Sequence, residues 1–192
     1  MDGPICNWQK AASRYLNHTY GYNLLEEHPT WDYVKDNVAP EHWKGLWVEG
    51  TRWNRLYANL ELTPGSLQAV ERLASKHDVY LITSRPMDAR KQTIEWVAKE
   101  LPLDLAGIHI VGPRADKSQV RCDVYLDDRP ENVQAIRTAF PGSVTVLWRM
   151  PHNRPFLWWP AVDNWEQFEA IVNDVNKYGS ATVAGITSGM RA

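Results

Sequence analysis

Apolar residues recur at intervals of three and four along the first part of the chain. Residues 7–28 carry this pattern and are predicted to form a helix, with Trp8, Ala11, Ala12, Tyr15, Leu16 and Thr19 in phase. The segment 26–47 is predicted to form short helices that are broken at Pro29 and Pro40. A further amphipathic helix is predicted after Pro64 and Gly65, with Leu67, Val70, Leu73 and Ala74 on one face.

The hydrophobic period changes after residue 77. Short apolar runs rich in β-formers predict buried strands at 78–84, 107–112, 122–128 and 142–149. Amphipathic helices are predicted between and after them, at 87–101, 130–140 and 164–178. This alternation predicts an α/β fold, with a parallel sheet covered by helices on both faces. The small and polar stretch 179–192 is expected to be a disordered tail.

Polar side chains follow two of these strands, where parallel sheets usually place their chemistry. Thr83 and Ser84 follow the first strand, and with the free N–H groups of the next helix they would form an anion site. Asp127 and Asp128 end the third strand, where a divalent cation would relieve the repulsion between two adjacent carboxylates. Each signal has an ordinary alternative: a helix cap for the first pair, and a cap beside a surface acid for the second. Lys117 precedes the third strand, and a lone lysine is usually solvated.

Composition excludes several classes of protein. The 192 residues suit one globular domain with a small inserted subdomain. The net charge is -2, from 21 basic and 23 acidic residues, so the chain has no excess of positive charge that would favour binding to a nucleic acid polymer or a membrane surface. Two cysteines make no disulfide framework, which favours a reducing cytoplasm. Neither a signal peptide nor an apolar run of the roughly 20 residues that a membrane helix needs is visible.

Tryptophan is the unusual residue, with ten in the chain. Four of them fall close together, at Trp31, Trp43, Trp47 and Trp53. One interpretation is a small helical subdomain that fills its core with large rings. The other is that one ring stacks on the base of a substrate.

The polar signals occur in a fixed order that resembles the four motifs of haloacid-dehalogenase-type hydrolases. The order is Asp2-Gly3, Thr83-Ser84, Lys117 and Asp127-Asp128. The connecting segments 56–86, 123–133 and 159–168 are similar to those of the 5'(3')-deoxyribonucleotidases, and the resemblance spans about residues 2–172. It implies a Rossmannoid core formed by residues 1–14 and 61–178, with a helical cap at 15–60 inserted near the N-terminus.

The resemblance also implies a magnesium-dependent phosphatase acting on (deoxy)nucleoside monophosphates. In this family pattern Asp2 is the general acid and base, Thr83 binds the transferred phosphoryl group, and Lys117 neutralises its charge. Asp127 and Asp128, together with Asp2, would hold Mg²⁺. Substrate contacts are expected from Thr83, Ser84, Arg85 and Lys117, and from the cap residues Trp43 and Trp47. Arg85 departs from the family pattern and leaves substrate choice open; a homodimer is a further expectation.

The family's first strand and its nucleophilic aspartate have no counterpart in the chain. Met1 stands where the variable residue of an Asp-x-Asp-Gly motif belongs. We therefore expect an apolar strand ending in Asp just upstream of Met1, so that an aspartyl-phosphate can form. Two alternatives remain open: a phosphatase of the same fold for another small phosphate ester, and a catalytically inactive protein that binds one.

Overall fold

A computed structural model of the chain describes residues 1–52, 55–101, 104–113, 115–158 and 160–189. The helices in these ranges are α1 (Trp8–Tyr20), α2 (Tyr33–Asn37), α3 (Pro40–Arg52), α4 (Ser66–Ala74), α5 (Arg90–Glu100), α6 (Pro130–Ala139), α7 (Trp165–Tyr178) and α8 (Ser180–Gly189). The strands are β1 (Tyr80–Thr83), β2 (Gly107–Ile110), β3 (Val124–Asp127), β4 (Val144–Trp148) and β5 (Ala161–Val162). Single 3-10 turns lie at Leu56–Ala58, Met87–Ala89, Lys117–Gln119 and Pro151–Asn153.

The strands confirm the predicted α/β class, since every strand pair in the described ranges is parallel. Leu81 of β1 pairs with Ile108 of β2, and Leu126 of β3 pairs with Val146 of β4. The short strand β5, which has no clear sequence signal, adds to the other side of β4. The sheet expected as one unit therefore lies in two parts, β1-β2 and β3-β4-β5.

A cleft separates the two parts of the sheet. It has a volume of about 730 Å³ and is lined by one edge of β1 and one edge of β3. Apolar side chains from α4 and α7 form much of its wall, including Val70, Phe168 and Val172. Met1 and Asp127 lie at its lining as well, so the cleft runs to the carboxyl end of β3.

The first residues of the chain form a tight turn. Asp2 makes a parallel bridge to Cys6, and Gly3 N–H donates to the Cys6 carbonyl over 2.8 Å. Cys6 in turn bridges Leu62 in antiparallel fashion. In the described residues no strand precedes β1.

The predicted helix at 7–28 is too long. The α1 helix begins after Asn7, whose side chain accepts the N–H of Lys10, and it ends at Gly21. Gly21 adopts φ +76°, a left-handed conformation that glycine takes without steric cost, and its N–H donates to the Asn17 carbonyl. The spacing of the apolar residues does not predict that the helix ends here, because it is the left-handed Gly21 that ends it.

The described residues form three apolar clusters, of which the smallest contains Val133, Leu147 and Trp158. The main cluster lies around the strands, with Leu81, Trp96 and Val146 among its buried members. A second cluster is built from the helical segment before β1, and contains Ala12, Leu16, Leu24, Val34, Leu46 and Leu56. Trp8 and Ala11 on α1 pack against both. Because the two clusters share α1, the boundaries of a cap at residues 15 and 60 stay a prediction.

The tail was expected to be disordered from residue 179, and the structure differs. Ser180–Gly189 forms α8, with Val183 and Ala184 buried in the main cluster. The small residues of this helix allow it to pack against its neighbours. The sequence does not predict this burial, because Val183 and Ala184 lie among small and polar residues. Of the helices described, none combines the length and the apolar character needed to cross a membrane.

Candidate active site

Two predicted site residues meet next to the end of β1. Thr83 is the last residue of β1 and is 1% exposed. Its Oγ1 donates to Asp2 Oδ2 over 3.2 Å, which ties the first turn of the chain to the sheet. Ser84 follows, half-buried. The Thr–Ser motif thus lies at the carboxyl edge, as expected for a parallel sheet.

A second contact joins the first turn to Asp128, the residue after β3. Gly3 lies against Asp128, and a Cβ atom built on Gly3 would be 2.6 Å from Asp128 Oδ2. Its φ of +97° also requires glycine. Any side chain at this position would push Asp128 away, so Gly3 allows the close approach of Asp2 to the acidic pair.

The first turn is anchored from the start of α4. Thr63 Oγ1 donates to the Gly3 carbonyl over 2.9 Å, and Ser66 Oγ donates to the Ile5 carbonyl over 3.0 Å. The N–H of Thr63 donates to Ile5 as well. These bonds satisfy the backbone of the turn and fix where Asp2 lies.

Asp127 is the most constrained carboxylate of the site. Its Oδ2 accepts Lys117 Nζ at 2.7 Å, and its Oδ1 accepts Asn132 Nδ2 at 2.8 Å and the Arg129 N–H at 2.9 Å. Burial favours the protonated acid, but Lys117 and these donors prevail and lower the pKa of Asp127. Burial likewise works against the ammonium of Lys117, yet Asp127 keeps its pKa raised.

Asp128 lies in the opposite situation. Within the described parts of the chain, no group donates a hydrogen bond to its carboxylate. Burial, reinforced by the adjacent charge of Asp127, raises the pKa of Asp128 to about 7. Only its backbone is held, by Asn153 Nδ2, which donates to the Asp128 carbonyl over 2.7 Å. The acidic pair therefore consists of one paired carboxylate and one without a donor.

Arg85 has a different partner from the expected substrate. Its side chain is 1% exposed and points inward to Asp2, with Nη2 at 2.6 Å from Asp2 Oδ1. Burial tends to raise the pKa of the Asp2 carboxyl, but the charge and hydrogen bonds of Arg85 outweigh burial and hold that pKa well below its usual range. A buried, internally paired guanidinium is not available to contact a substrate.

The cap tryptophans separate into two groups. Trp47 stacks on Trp8 with ring centroids 5.2 Å apart, and Trp43 meets Trp47 edge-on at 5.2 Å. Trp31 is 49% exposed, and its ring centre lies 5.1 Å from the guanidinium of Arg129 and 4.8 Å from the centre of the His152 ring. Trp53 lies outside the described residues. Trp43 and Trp47 thus pack mainly on other tryptophan rings, whereas Trp31 contacts the side chain of Arg129, the residue that follows the acidic pair in the sequence.

The acidic pair fits a hard cation in the kind of donor it offers. Asp127 and Asp128 supply carboxylate oxygens, the ligands that Mg²⁺ prefers, and the Asp128 carboxylate has no competing donor. Across the described residues, no group of three or more His, Cys, Asp or Glu is placed to hold a metal ion. Asp2, the third expected ligand, directs its carboxylate to Arg85. Two carboxylates would leave the remaining positions of an octahedral ion to water and substrate, which is usual for Mg²⁺.

Sequence reasoning missed two asparagines that shape the site. Asn132 is in the first turn of α6, five residues after Asp127, and this helical spacing could have indicated its contact. Asn153 is buried and lies 25 residues from Asp128; it donates to the carbonyls of Asp128 and Trp148. No local signal in the sequence indicates this second role.

The parallel sheets, the helical segment before β1 and the carboxylates at the strand ends define an α/β protein of the haloacid-dehalogenase-like class. The chain belongs to a family within this class: the sequence model described as "5' nucleotidase, deoxy (Pyrimidine), cytosolic type C protein" matches residues 1–177. Similar relatives are the 5'(3')-deoxyribonucleotidases of Bacillus subtilis (strain 168) and of Bacillus phage SPbeta. Each is 28% identical over 117 residues, which is 59% of this chain and 63% of the relative. The matched region thus spans less than two thirds of these relatives.

Proposed function

We propose that the protein is a phosphatase that removes phosphate from deoxy- or ribonucleoside monophosphates with the help of Mg²⁺. The observation that carries the proposal is the close approach of Gly3 to Asp128. It brings the Asp2–Thr83 pair at the end of β1 next to the Lys117–Asp127 pair at the end of β3. Family membership supports a nucleotide as substrate. The relatives' description as 5'(3')-deoxyribonucleotidases favours deoxyribose.

The site residues suit the charge changes of phosphoryl transfer. Lys117 is buried and cationic, so it stabilises negative charge on the phosphoryl oxygens in a low-dielectric position. The Thr83 hydroxyl, now donating to Asp2, is placed to donate to the same oxygens. Electrostatic stabilisation of this kind usually supplies the largest part of catalysis in this chemistry.

The nucleophile of the proposal is an aspartate directly before Met1, at the end of a strand that lies in the cleft between β1 and β3. Two observations support this position. The α-amino group of Met1 is near enough to Asp127 and Asp128 for its charge to lower the pKa of both. Met1 itself is 6% exposed and lines the same cleft as Asp127, the last residue of β3, which supports this position.

The proposed reaction has two balanced steps. The nucleophilic carboxylate forms a bond to phosphorus while the bond from phosphorus to the nucleoside oxygen breaks, and Asp2 gives that oxygen its proton. Water then attacks phosphorus, the bond from phosphorus to the nucleophilic carboxylate breaks, and Asp2 accepts a proton from the water. Phosphate is released, the nucleophile is again a carboxylate, and Asp2 is again a protonated acid. Asp2 is a carboxylate in the free protein; a bound phosphate dianion favours its protonation through like-charge repulsion.

Magnesium, when bound by Asp127 and Asp128, supplies positive charge that neutralises the phosphoryl oxygens. Asn132 and Arg129 orient Asp127 for this purpose, and Asn153 fixes the backbone of Asp128. We further propose that the protein forms a homodimer and is located in the cytoplasm. Light scattering on the purified protein tests the oligomeric state.

A panel of 5' and 3' deoxy- and ribonucleoside monophosphates, with and without Mg²⁺, tests the function. We expect turnover from the complete gene product, dependence on Mg²⁺, and preference for a deoxynucleotide. Residues 1–192 alone serve as the comparison and should bind substrate but turn over at least 10³-fold more slowly, because removal of a nucleophile is that costly. Turnover of only non-nucleotide esters would favour another phosphatase of this fold. Binding without turnover in the complete gene product would favour an inactive binding protein.

A further inference from the structure

Arg85 occupies an enclosed position beside the site. Its guanidinium carbon lies 4.9 Å from the ring centre of Tyr57 and 5.8 Å from that of Trp96. Both rings are buried, with 2% and 1% exposure. Aromatic faces attract a cation and limit its movement, and these rings therefore restrict where the guanidinium can point.

The guanidinium nitrogens are committed to internal partners. Nε lies 3.1 and 3.2 Å from the two oxygens of Asp2, and Nη2 lies 2.6 Å from Oδ1. Nη2 also donates to Cys6 Sγ, and Nη1 donates to Thr93 Oγ1 over 3.2 Å. A planar fork of this shape fixes the plane of a carboxylate, which a lysine ammonium cannot do.

We propose that Arg85 is the positioning residue for Asp2, and that it fixes the carboxylate where it exchanges a proton with the leaving oxygen of the substrate. This inference rests on the proposed function. Asp2 is 31% exposed on its side chain, so one side of the carboxylate faces the site while Arg85 holds the other. Thr83 and Cys6 complete the support, donating to Oδ2 and Oδ1 respectively.

Two substrates with different leaving groups test whether Arg85 positions Asp2. A nucleoside monophosphate expels a sugar alkoxide, which needs a proton, whereas p-nitrophenyl phosphate expels a stable phenolate, which does not. Loss of Asp2 positioning should slow the first substrate selectively. General damage to the fold, or to Lys117 and Thr83, should slow both substrates equally.

The variant is Arg85→Lys, which keeps the charge and loses the fork. Its matched control is Arg72→Lys: Arg72 also binds a carboxylate with two nitrogens, Glu169 at 2.9 and 2.6 Å, but on the surface between α4 and α7. We expect Arg85→Lys in the complete gene product to lower kcat for a nucleotide by about 10- to 100-fold, since misplacement of a reacting group by an ångström costs up to that much. KM should change by less than about threefold, because Arg85 does not contact substrate. The kcat for p-nitrophenyl phosphate and all parameters of Arg72→Lys should stay within about threefold of wild type.

Equal loss on both substrates, or no loss on either, would overturn the positioning role. A wild-type protein that turns over neither substrate would instead overturn the proposed function. Melting temperatures of Asp2→Asn, Arg85→Lys and the double variant test the Arg85–Asp2 contact independently. If the contact stabilises the fold, the melting temperature of the double variant should fall by clearly less than the sum of the two single decreases. Additive decreases would show that the two residues are not coupled.

Discussion

At the scale of single residues, the acidic pair shows how one local sequence produces two electrostatic states. The Asp127 carboxylate accepts hydrogen bonds from Lys117, Asn132 and a backbone N–H. The pKa of Asp128 is instead raised mainly by burial and by the negative charge of Asp127. The first carboxylate is stabilised as an anion and the second is destabilised. This asymmetry suits a site that takes up a cation, because the cation removes the repulsion only when it binds.

The first prediction concerns Asp128→Asn. At pH 8 without divalent cations, this variant should be more stable than wild type by about 1–2 kcal/mol, since it removes a half-buried carboxylate without a hydrogen-bond donor. Millimolar Mg²⁺ should raise the melting temperature of wild type and leave the variant unchanged, because only wild type binds the ion in its folded state. Thermal unfolding with and without Mg²⁺ measures both. Asp123→Asn, an exposed acid one residue before β3, is the control and should respond to Mg²⁺ as wild type does. An equal response in Asp128→Asn would contradict the metal assignment.

The second prediction concerns Trp31, the cap ring beside Arg129. Trp31→Ala should raise KM for a nucleotide by about tenfold or more, since stacking on a base contributes about 1–3 kcal/mol, and should leave KM for p-nitrophenyl phosphate unchanged. Steady-state kinetics of the complete gene product checks both values. Trp47→Ala is the matched control: its ring packs on Trp8 and Trp43, so its loss should lower the melting temperature and affect both substrates alike. A selective effect of Trp47 instead of Trp31 would reverse the assignment.

Individual residues also show why only part of the site was predictable. Thr83 and Asp127 are predicted site residues because each lies at the end of a predicted strand, whereas Lys117 is predicted only from the order of motifs that resembles the family. The direction of Arg85 was not, since it depends on Asp2, Tyr57 and Trp96, which are distant in sequence. The need for Gly3 comes from Asp128 on another element, so no local pattern carries it.

At the scale of elements, strands were easier to predict than helix ends. A buried parallel strand is a short apolar run, and β1 to β4 all lie inside the predicted runs. The stop of α1 depends on one left-handed glycine, and α8 depends on burial of two small apolar residues against the main core. The division of the sheet into two parts depends on which strands pair with each other. The sequence of a single strand does not specify its neighbours in the sheet.

The third prediction addresses that division. Since β1 and β3 are edge strands on opposite sides of one cleft, an added parallel strand would pair with both. The strand proposed to precede Met1 should therefore protect amides of Tyr80, Ile82, Val124 and Leu126 by at least tenfold in hydrogen exchange, relative to residues 1–192. Amides of β4, which already has a partner on each side, should change much less and serve as the internal control. Equal exchange of the β1 and β3 amides in both proteins would show that no strand enters the cleft.

At the scale of the whole molecule, the helical segment and the sheet region share a buried polar junction. His28 lies between α1 and α2, is 2% exposed, and its Nε2 is 2.9 Å from Ser13 Oγ. His152, in the turn after β4, is bonded to Gln9 of α1 at 3.0 Å. Burial lowers the pKa of each histidine to about 4, with the charge of His152 acting further on His28. Both rings are therefore neutral when the two regions are packed together at neutral pH.

The last prediction follows from the sign of these shifts. The pKa of His28 is lower in the folded state, about 4, than its ordinary value of 6.5, so between these pH values the unfolded chain binds more protons than the folded one. Stability from this group is complete above about pH 6.5 and falls as the pH drops towards 4, by up to about 3 kcal/mol. The groups that face His28 are Ser13, the ring of Tyr33, the backbone of Gln9 and His152, and none of them is an acid that would hold a proton on the ring. His28→Gln should thus lose less stability than wild type between pH 7 and pH 4.5 in urea unfolding. The exposed His18→Gln is the control and should follow wild type. If His28→Gln and wild type lose the same stability over that range, another group is responsible for acid sensitivity at the junction.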